Sequence, residues 1–209
     1  PGFFTGKKVL DVGSLEIDGG ARQFFTDCDY LGIDLGEGGG VDLICHVTVL
    51  EQFISQTYDV IISTEALEHD KQWADSLRAM NKLLKPNGLL LITCAGPSRW
   101  EHGTEEHDAY ASPFTTDYYR NLSTEDFASV LPANLFAKSY LGYRGDKEDL
   151  YFAGIKQAES TVFPISSYKI TEQKARPTVT VEISTLNRYF TTLPMTIASV
   201  ATQTRKPDK

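Results

Sequence analysis

Apolar residues in the first part of the chain form short continuous runs separated by stretches of helical spacing. Such runs are typical of strands buried on both faces of a parallel sheet, whereas apolar positions three and four apart indicate a helix. The runs predict strands over residues 8–12, 30–34, 41–45, 58–63 and 89–94. Helical spacing predicts a helix that begins at 21–25 and another over 73–84, which Pro86 and Gly88 stop.

The segment after residue 94 predicts one helix and a final pair of strands. Ser123 and Asp126 form a capping sequence for a helix that runs through Val130. Strands are predicted over 136–141 and 150–155, with a charged turn between them. Repeated strand–helix units followed by a terminal hairpin predict an α/β fold with a doubly wound, mostly parallel sheet and a C-terminal antiparallel hairpin.

The last part of the chain has a different pattern. Residues 158–175 show no clear periodicity, and we interpret them as a linker or as a strap over the domain surface. A new strand is predicted over 179–184 and a helix over 189–201. One such unit cannot bury its own apolar face, so residues 176–209 are predicted to dock on the first domain or to begin a second one. The expected domains are therefore 1–157 and 176–209.

The charge distribution separates the same two parts. The net charge is −8; residues 1–159 carry 13 Lys and Arg against 25 Asp and Glu, and residues 160–209 carry 7 against 3. An acidic body repels phosphate backbones, which argues against nucleic acid as a partner. No apolar run reaches the roughly 18 residues of a membrane span. Three cysteines without a C-x-x-C spacing favour reduced thiols, and hence a cytoplasmic protein.

The stretch VLDVGSLEIDGG, residues 9–20, gives the first functional prediction. It is an apolar strand that ends in a loop, and ligands of open α/β sheets bind beyond the carboxyl ends of such strands. Gly13 allows the backbone to turn and a ligand to approach. Asp34 ends the next strand at the distance along the chain where an acidic side chain binds ribose hydroxyls. The pattern therefore predicts a ligand that contains a nucleoside.

The acidic residues of this loop decide between two nucleoside cofactors. A dinucleotide site needs G-x-G-x-x-G, and this loop lacks the first G-x-G pair. Glu16 and Asp18 stand where the pyrophosphate would lie and would repel it, but they suit an ammonium or sulfonium group. The loop therefore favours S-adenosylmethionine over NAD, and an NAD-dependent enzyme is the less favoured alternative.

Five segments in this order resemble the motifs of class I S-adenosylmethionine-dependent methyltransferases over residues 9–155. They are VLDVGSLEIDGG, YLGIDLGEGGGVDLICHV, YDVIISTEALEH, LLKPNGLLLIT and HDAYASPFTTDYYRNLSTEDF. The resemblance implies a Rossmann-like, doubly wound seven-stranded sheet, S-adenosylmethionine as cofactor and S-adenosylhomocysteine as product. The chain departs from the family in two places. It keeps only Gly13 of the usual G-x-G-x-G, and it has His46 where members often carry Asp.

The resemblance implies a role for each matching residue of the cofactor site. Asp11 would orient the methionine ammonium, Asp34 would bind the ribose hydroxyls and Leu35 would cover one face of the adenine. The implied cofactor-binding residues are Asp11, Gly13, Ser14, Asp34, Leu35, His46, Val47, Ser63, Thr64 and Glu65. Structural alternatives stay open, since Asp11 can instead cap its strand and His46 can be an ordinary strand-end residue.

For catalysis the resemblance implies in-line displacement at the methyl carbon, with the sulfonium as leaving group. A hydroxyl acceptor would also need a base, whereas a carboxylate acceptor would not. The candidates are His69, His107, Asp117 and Tyr118, with helix capping by His69 and lid packing by Tyr118 as alternatives. The segment WEHGTEEHDAY, residues 100–110, has no recognised zinc spacing. We therefore expect no metal and interpret this segment as an acidic lid or a solvated loop.

Residues 176–209 resemble the opening of nucleotide-sugar glycosyltransferases of the GT-A fold. The residues that carry this resemblance are Thr185, Asn187, Arg188, Gln203, Thr204 and Pro207. It implies that the rest of a glycosyltransferase domain accompanies this chain, and that the methyl acceptor is a small molecule, either a sugar or a glycan intermediate. The alternative is a non-catalytic S-adenosylmethionine-binding or scaffolding module attached to a glycosyltransferase.

Overall fold

A computed structural model describes residues 2–144 and 146–158, which contain one seven-stranded sheet. Its strands are β1 (Lys8–Val12), β2 (Asp29–Asp34), β3 (Leu43–Ile44), β4 (Tyr58–Thr64), β5 (Leu84–Ala95), β6 (Phe136–Arg144) and β7 (Asp149–Lys156). The linker predicted from residue 158 and the second-domain elements predicted after it lie outside the described residues, apart from residue 158 itself.

The strand order in the sheet is β3-β2-β1-β4-β5-β7-β6. The neighbouring pairs among β1 to β5 are parallel, and β7 runs antiparallel to both β5 and β6. This confirms the predicted doubly wound α/β sheet with a C-terminal antiparallel hairpin. The chain first winds outward from β1 to β3 and then returns to place β4 on the other side of β1. Because the order reverses there, the carboxyl ends of β1 and β4 border the crevice in which ligands of such sheets bind.

Two α-helices lie in the described part of the chain, α1 (Trp73–Leu83) and α2 (Thr124–Val130). They confirm the helices predicted from spacing and from the capping sequence, and α1 ends just before the predicted stop. The other helical segments are short 3-10 turns at Ala21–Phe24, Val47–Gln52, Leu67–His69, Ala109–Ala111 and Ala133–Leu135. Among the described residues, no helix combines the length and the apolarity that crossing a membrane requires.

Two elements are shorter than the sequence predicted, whereas β5 begins five residues earlier and β6 ends three residues later than predicted. The helix expected at 21–25 is only the 3-10 turn Ala21–Phe24, because Gly20 supplies no side-chain cap and Phe25 is already extended. The strand expected at 41–45 is reduced to Leu43–Ile44. There Asp42 uses its carboxylate to accept the Gly32 N–H at 2.7 Å, so a side chain takes the place of a backbone partner.

The main core cluster joins one set of alternating strand residues to α1 and α2. Leu77, Met80 and Leu83 recur along α1 with helical spacing and are buried. The strand residues of the same cluster include Leu10, Val12, Ile33, Ile61, Leu90, Ile92, Leu150 and Phe152. Each fully buried side chain of this size contributes about 1.5–3 kcal/mol to stability. This packing fixes the sheet whose carboxyl edge holds the candidate site.

Helix α2 begins with a complete capping box. Ser123 Oγ accepts the Asp126 N–H at 3.0 Å, and the Asp126 carboxylate accepts the Ser123 N–H at 2.9 Å. These two bonds satisfy backbone donors that a helix start otherwise leaves unpaired. Phe127, the next residue, is fully buried in the core, so the cap also sets the direction in which α2 packs.

We expect Ser123→Ala to lower the free energy of unfolding by about 1 kcal/mol, because the variant loses the cap on the Asp126 N–H. Urea unfolding followed by circular dichroism measures this change. Ser129→Ala is the matched control in the same helix, since Ser129 Oγ only donates back to the exposed Asp126 carbonyl. We expect the control to change stability by less than about 0.5 kcal/mol. Equal losses in both variants would contradict the capping role.

Candidate functional site

The loop after β1 turns at Gly13, which has a φ of +77°. Its N–H donates to the Ile33 carbonyl at 3.0 Å, which ties the loop to the end of β2. A Cβ on Gly13 would lie 2.3 Å from the Cβ of Ala66, far inside contact distance. Both the backbone angle and the space therefore require glycine here, as the sequence predicted.

Asp34 holds the same loop from the end of β2. Its carboxylate accepts the Leu15 N–H at 3.0 Å and the Leu35 N–H at 2.7 Å. Burial raises the pKa of Asp34, and these backbone hydrogen bonds oppose the shift. Leu35, predicted to cover an adenine, is 43% exposed.

Asp11 is a buried carboxylate within β1 and is 5% exposed. The Tyr30 hydroxyl donates to its Oδ2 at 2.7 Å, whereas its Oδ1 has no hydrogen-bond partner in the described residues. Burial raises the pKa of Asp11 from 3.8 to about 7, although the Tyr30 hydrogen bond and the nearby charge of Arg22 act in the opposite direction. A cation placed beside Oδ1 would favour the ionised form.

The end of β4 adds further unpaired oxygen atoms. Ser63 is fully buried, and neither its Oγ nor the buried Oγ of Ser14 has a hydrogen-bond partner among the described residues. Glu65 has a φ of +52°, and its N–H donates to the Thr93 carbonyl at 2.9 Å. Its carboxylate lies 3.7 Å from Arg99, and burial raises its pKa. Thr64 is only partly buried.

His46 lies at the start of the turn Val47–Gln52 and is engaged within the protein. Its Nδ1 lies 2.8 Å from Thr48 Oγ1 and its Nε2 lies 3.2 Å from Asp70 Oδ1. Although burial alone would raise the pKa of Asp70, the hydrogen bonds from His46 and Ser76 lower it. Val47 is buried. Contact of either residue with an adenine stays a prediction.

His69 lies in a cluster that the sequence did not predict. Its ring packs edge-on against those of His102 and Tyr119, with centroids 5.0 and 5.5 Å away. Burial lowers the pKa of His69 to about 4, and the nearby His102 adds to the shift. Glu68 is fully buried beside it and accepts the Ala95 N–H at 3.1 Å. The only sequence signal was that Glu68 directly precedes His69.

The other catalytic candidates lie around a cavity of about 320 Å³. It is lined by Glu101, Thr104, Glu105, Glu106, Thr116, Asp117, Tyr118 and Tyr119. Asp117 is exposed and forms an ion pair with Lys71, while the His107 Nδ1 lies 3.5 Å from the Glu101 carboxylate. Tyr119 contacts His69, so it connects the buried cluster to this cavity.

The segment between β5 and α2 also reaches the residues that follow β2. The Phe114 ring occupies the space beside Gly36, where an added Cβ would lie 2.1 Å from Phe114 Cζ. Gly103, with a φ of +67°, lies against His69 in the same way, since a Cβ added there would lie 2.5 Å from His69 Cε1. This segment therefore approaches the end of β2 at one point and the end of β4 at another.

Comparison with known proteins identifies a family. Residues 2–126 match the family model described as "Methyltransferase domain". No curated protein matches the chain.

Several solved structures share the fold. Phosphoethanolamine N-methyltransferase 2 of Haemonchus contortus is 19% identical with a TM-score of 0.54, over 75% of this chain and 50% of that one. The CurJ carbon methyltransferase is 19% identical with a TM-score of 0.52, over 76% and 50%. The plantazolicin methyltransferase BamL is 15% identical with a TM-score of 0.53, over 71% and 76%. The chain thus spans half the length of the first two.

We expect the buried Asp11 carboxylate to make stability depend on pH. Its pKa rises from 3.8 to about 7 on folding, so between these values the folded chain holds a proton that the unfolded chain has released. Stability therefore falls as pH rises through this window, by up to about 4 kcal/mol. Asp11→Asn should remove this fall while keeping an oxygen for the Tyr30 hydroxyl.

Urea unfolding at a series of pH values measures the effect. Asp29→Asn is the control, because Asp29 lies at the opposite end of β2 with a side chain that is 68% exposed. A pH dependence that is the same in Asp11→Asn and in the unmodified chain would exclude the buried carboxylate as its source.

Proposed function

We propose a function from one premise: the chain belongs to the methyltransferase-domain family whose model matches residues 2–126. The proposed reaction transfers a methyl group from S-adenosylmethionine to a small molecule and leaves S-adenosylhomocysteine. The observation that carries it is the set of buried oxygens near the carboxyl ends of β1 and β4 that lack hydrogen-bond partners in the described residues. They belong to Asp11, Ser14, Ser63 and Glu65.

These oxygens match the polar groups of the proposed cofactor. Asp11 Oδ1 accepts a hydrogen bond from the methionine ammonium, directly or through water. The Asp34 carboxylate already accepts the Leu15 and Leu35 N–H groups. Each of its oxygens can accept a further hydrogen bond, and the ribose hydroxyls donate these. Glu65 adds negative charge near the sulfonium. The H. contortus enzyme and BamL were both crystallised with S-adenosylhomocysteine, which supports this cofactor.

The acceptor binds, on this proposal, in the cavity beside Tyr118. Four of its lining residues are carboxylates, which disfavour an acceptor that carries phosphate or carboxylate groups. The same oxygens, together with Thr104 and Thr116, suit the hydroxyl groups of a sugar. Sulfonium is an activated leaving group, so positioning of the acceptor oxygen supplies much of the catalysis.

The proton of an acceptor hydroxyl is taken up at this cavity. Asp117 lines it and is ionised at neutral pH, and its hydrogen bond with Lys71, which lowers the pKa of Asp117, makes it a weak base. Tyr118 also lines the cavity. His107 and His69 do not line it, but each contacts a lining residue, His107 contacting Glu101 and His69 contacting Tyr119. We assign Asp117 the role of proton acceptor and Tyr118 that of a neighbouring hydrogen-bond donor.

The remaining proposals concern the protein around this domain. We propose that residues 158–175 link it to residues 176–209, the beginning of a glycosyltransferase domain. The resemblance of residues 176–209 to that family supports this arrangement and a sugar or glycan intermediate as acceptor. Cys28, Cys45 and Cys94 are all free thiols, which is in keeping with a cytoplasmic location.

A non-catalytic cofactor-binding or scaffolding module is the second candidate. The observation that favours it is His46, which stands where the family often has Asp and has both ring nitrogens within hydrogen-bond distance of protein groups. Such a module would bind S-adenosylmethionine but form no S-adenosylhomocysteine with any acceptor. Formation of that product therefore separates the two candidates.

Isothermal titration with S-adenosylmethionine tests the cofactor site. We expect Asp34→Ala to weaken binding about 10- to 100-fold, because hydrogen bonds to a charged group contribute about 1.5–3 kcal/mol. Asp29→Ala is the matched control on the same strand and should bind as the unmodified chain does. Absence of binding to the unmodified chain at millimolar cofactor would reject the proposed function.

Formation of S-adenosylhomocysteine with paired acceptors tests the cavity. We expect a neutral sugar to react about tenfold faster than its phosphorylated counterpart, a difference equal to about 1.4 kcal/mol. Changing Glu105→Gln and Glu106→Gln together should narrow this difference, because two repelling charges are removed. A preference for the phosphorylated sugar would contradict the acidic cavity as the acceptor site.

A further inference from the structure

Three potential metal ligands from two distant parts of the chain meet at the end of β4. Glu68 and His69 belong to the turn Leu67–His69, and His102 comes from the segment that follows β5. One ligand atom of each lies within 4.8 Å of those of the other two. Glu68 is fully buried, His69 is 5% exposed and His102 is partly buried.

Glu68 and His102 each have one polar atom bonded to the backbone and a second atom to offer, whereas His69 is held by the packing of its ring. Glu68 Oε1 accepts the Ala95 N–H, whereas Glu68 Oε2 and His69 Nδ1 have no hydrogen-bond partner in the described residues. His102 Nδ1 lies 3.1 Å from the Trp100 carbonyl oxygen, which can only accept. Nδ1 therefore carries the proton, and His102 Nε2 presents a lone pair. This arrangement, with one atom anchored and the other available, is typical of metal ligands in proteins.

The packing of the segment after β5 places His102 in contact with His69. Gly103 approaches His69 so closely that a Cβ there would lie 2.5 Å from Cε1. The rings of His69 and His102 both pack on Tyr119, whose hydroxyl donates to the Trp100 carbonyl at 3.1 Å. The contact between the two imidazoles is therefore built into the packing of this segment.

We infer that Glu68, His69 and His102 bind a divalent transition-metal ion through one carboxylate oxygen and two imidazole nitrogens. Imidazole ligands favour ions of the series from Mn²⁺ to Zn²⁺ over Mg²⁺ and Ca²⁺. Neighbouring ligands of an ion at about 2.1 Å lie about 3.4 Å apart, so atoms that now lie within 4.8 Å of one another approach by at most about 1.4 Å on binding. His102, on a loop and only partly buried, provides this movement. Three protein ligands leave coordination positions open for water or a polar ligand.

Calorimetric titration of the full chain with Zn²⁺, after removal of metals by a chelator, tests this site. We expect one ion per chain, and the visible absorption of bound Co²⁺ should report nitrogen and oxygen ligands. His102→Ala should weaken Zn²⁺ binding by at least about 100-fold. Removing a residue that only supports a metal ligand already weakens binding by about 10- to 100-fold, and removing the ligand itself should weaken it more. Glu68→Gln should also weaken it while keeping an oxygen for the Ala95 N–H.

The matched control is His107→Ala, the same substitution in the same segment at a residue outside the cluster. It should leave the affinity for Zn²⁺ unchanged. Failure of the unmodified chain to bind Zn²⁺, or equal affinity in the His102→Ala and unmodified chains, would overturn the inference. So would equal weakening by both histidine substitutions. The titration contains neither cofactor nor acceptor, so its outcome is independent of the proposed methyl transfer.

Discussion

The close contact between Gly13 and Ala66 is the constraint on which the candidate site depends. The ends of β1 and β4 approach so closely there that a Cβ on Gly13 has no room. Only glycine fits at this point. The loop then runs towards β2, where the Ile33 carbonyl and the Asp34 carboxylate accept hydrogen bonds from its N–H groups. The shape of the crevice between the two strand ends is thus fixed by backbone contacts together with the Asp34 carboxylate, and the other acidic side chains supply its charge.

The acidic groups of this region are buried, and burying them lowers the stability of the folded chain. Asp11, Glu65 and Glu68 are carboxyl groups that burial makes harder to ionise, and each has an oxygen without a hydrogen-bond partner in the described residues. Buried groups of this kind destabilise a fold unless something compensates them. On the functions proposed here, a cationic cofactor compensates Asp11 and adds to the effect of Arg99 on Glu65, and a metal ion compensates Glu68. Ligand binding and stability are then coupled, because the bound groups remove the unfavourable burial.

The sequence predicted features that arise from local pattern. Buried strands, the spacing of α1 and the cap of α2 were all found, because apolar periodicity and capping residues act over a few neighbouring positions. Gly13 was found for the same reason, since a turn at the end of a strand needs its backbone freedom. The turn Ala21–Phe24 was predicted as a helix. The hydrophobic pattern does not reveal that the connection to β2 is too short for a full helix, or that its first residue has no cap.

The sequence by itself therefore determined the order of the strands along the chain, the fold class and the position of the acidic residues at strand ends. Only the tertiary structure decided which side chains meet. It engaged His46 with Asp70, and it brought His102 onto Glu68 and His69 from a segment beyond β5. The physical reason is that periodicity reports each element's own buried face. Contacts between distant segments depend instead on how the chain packs, through close approaches such as Gly103 on His69 that no local pattern encodes.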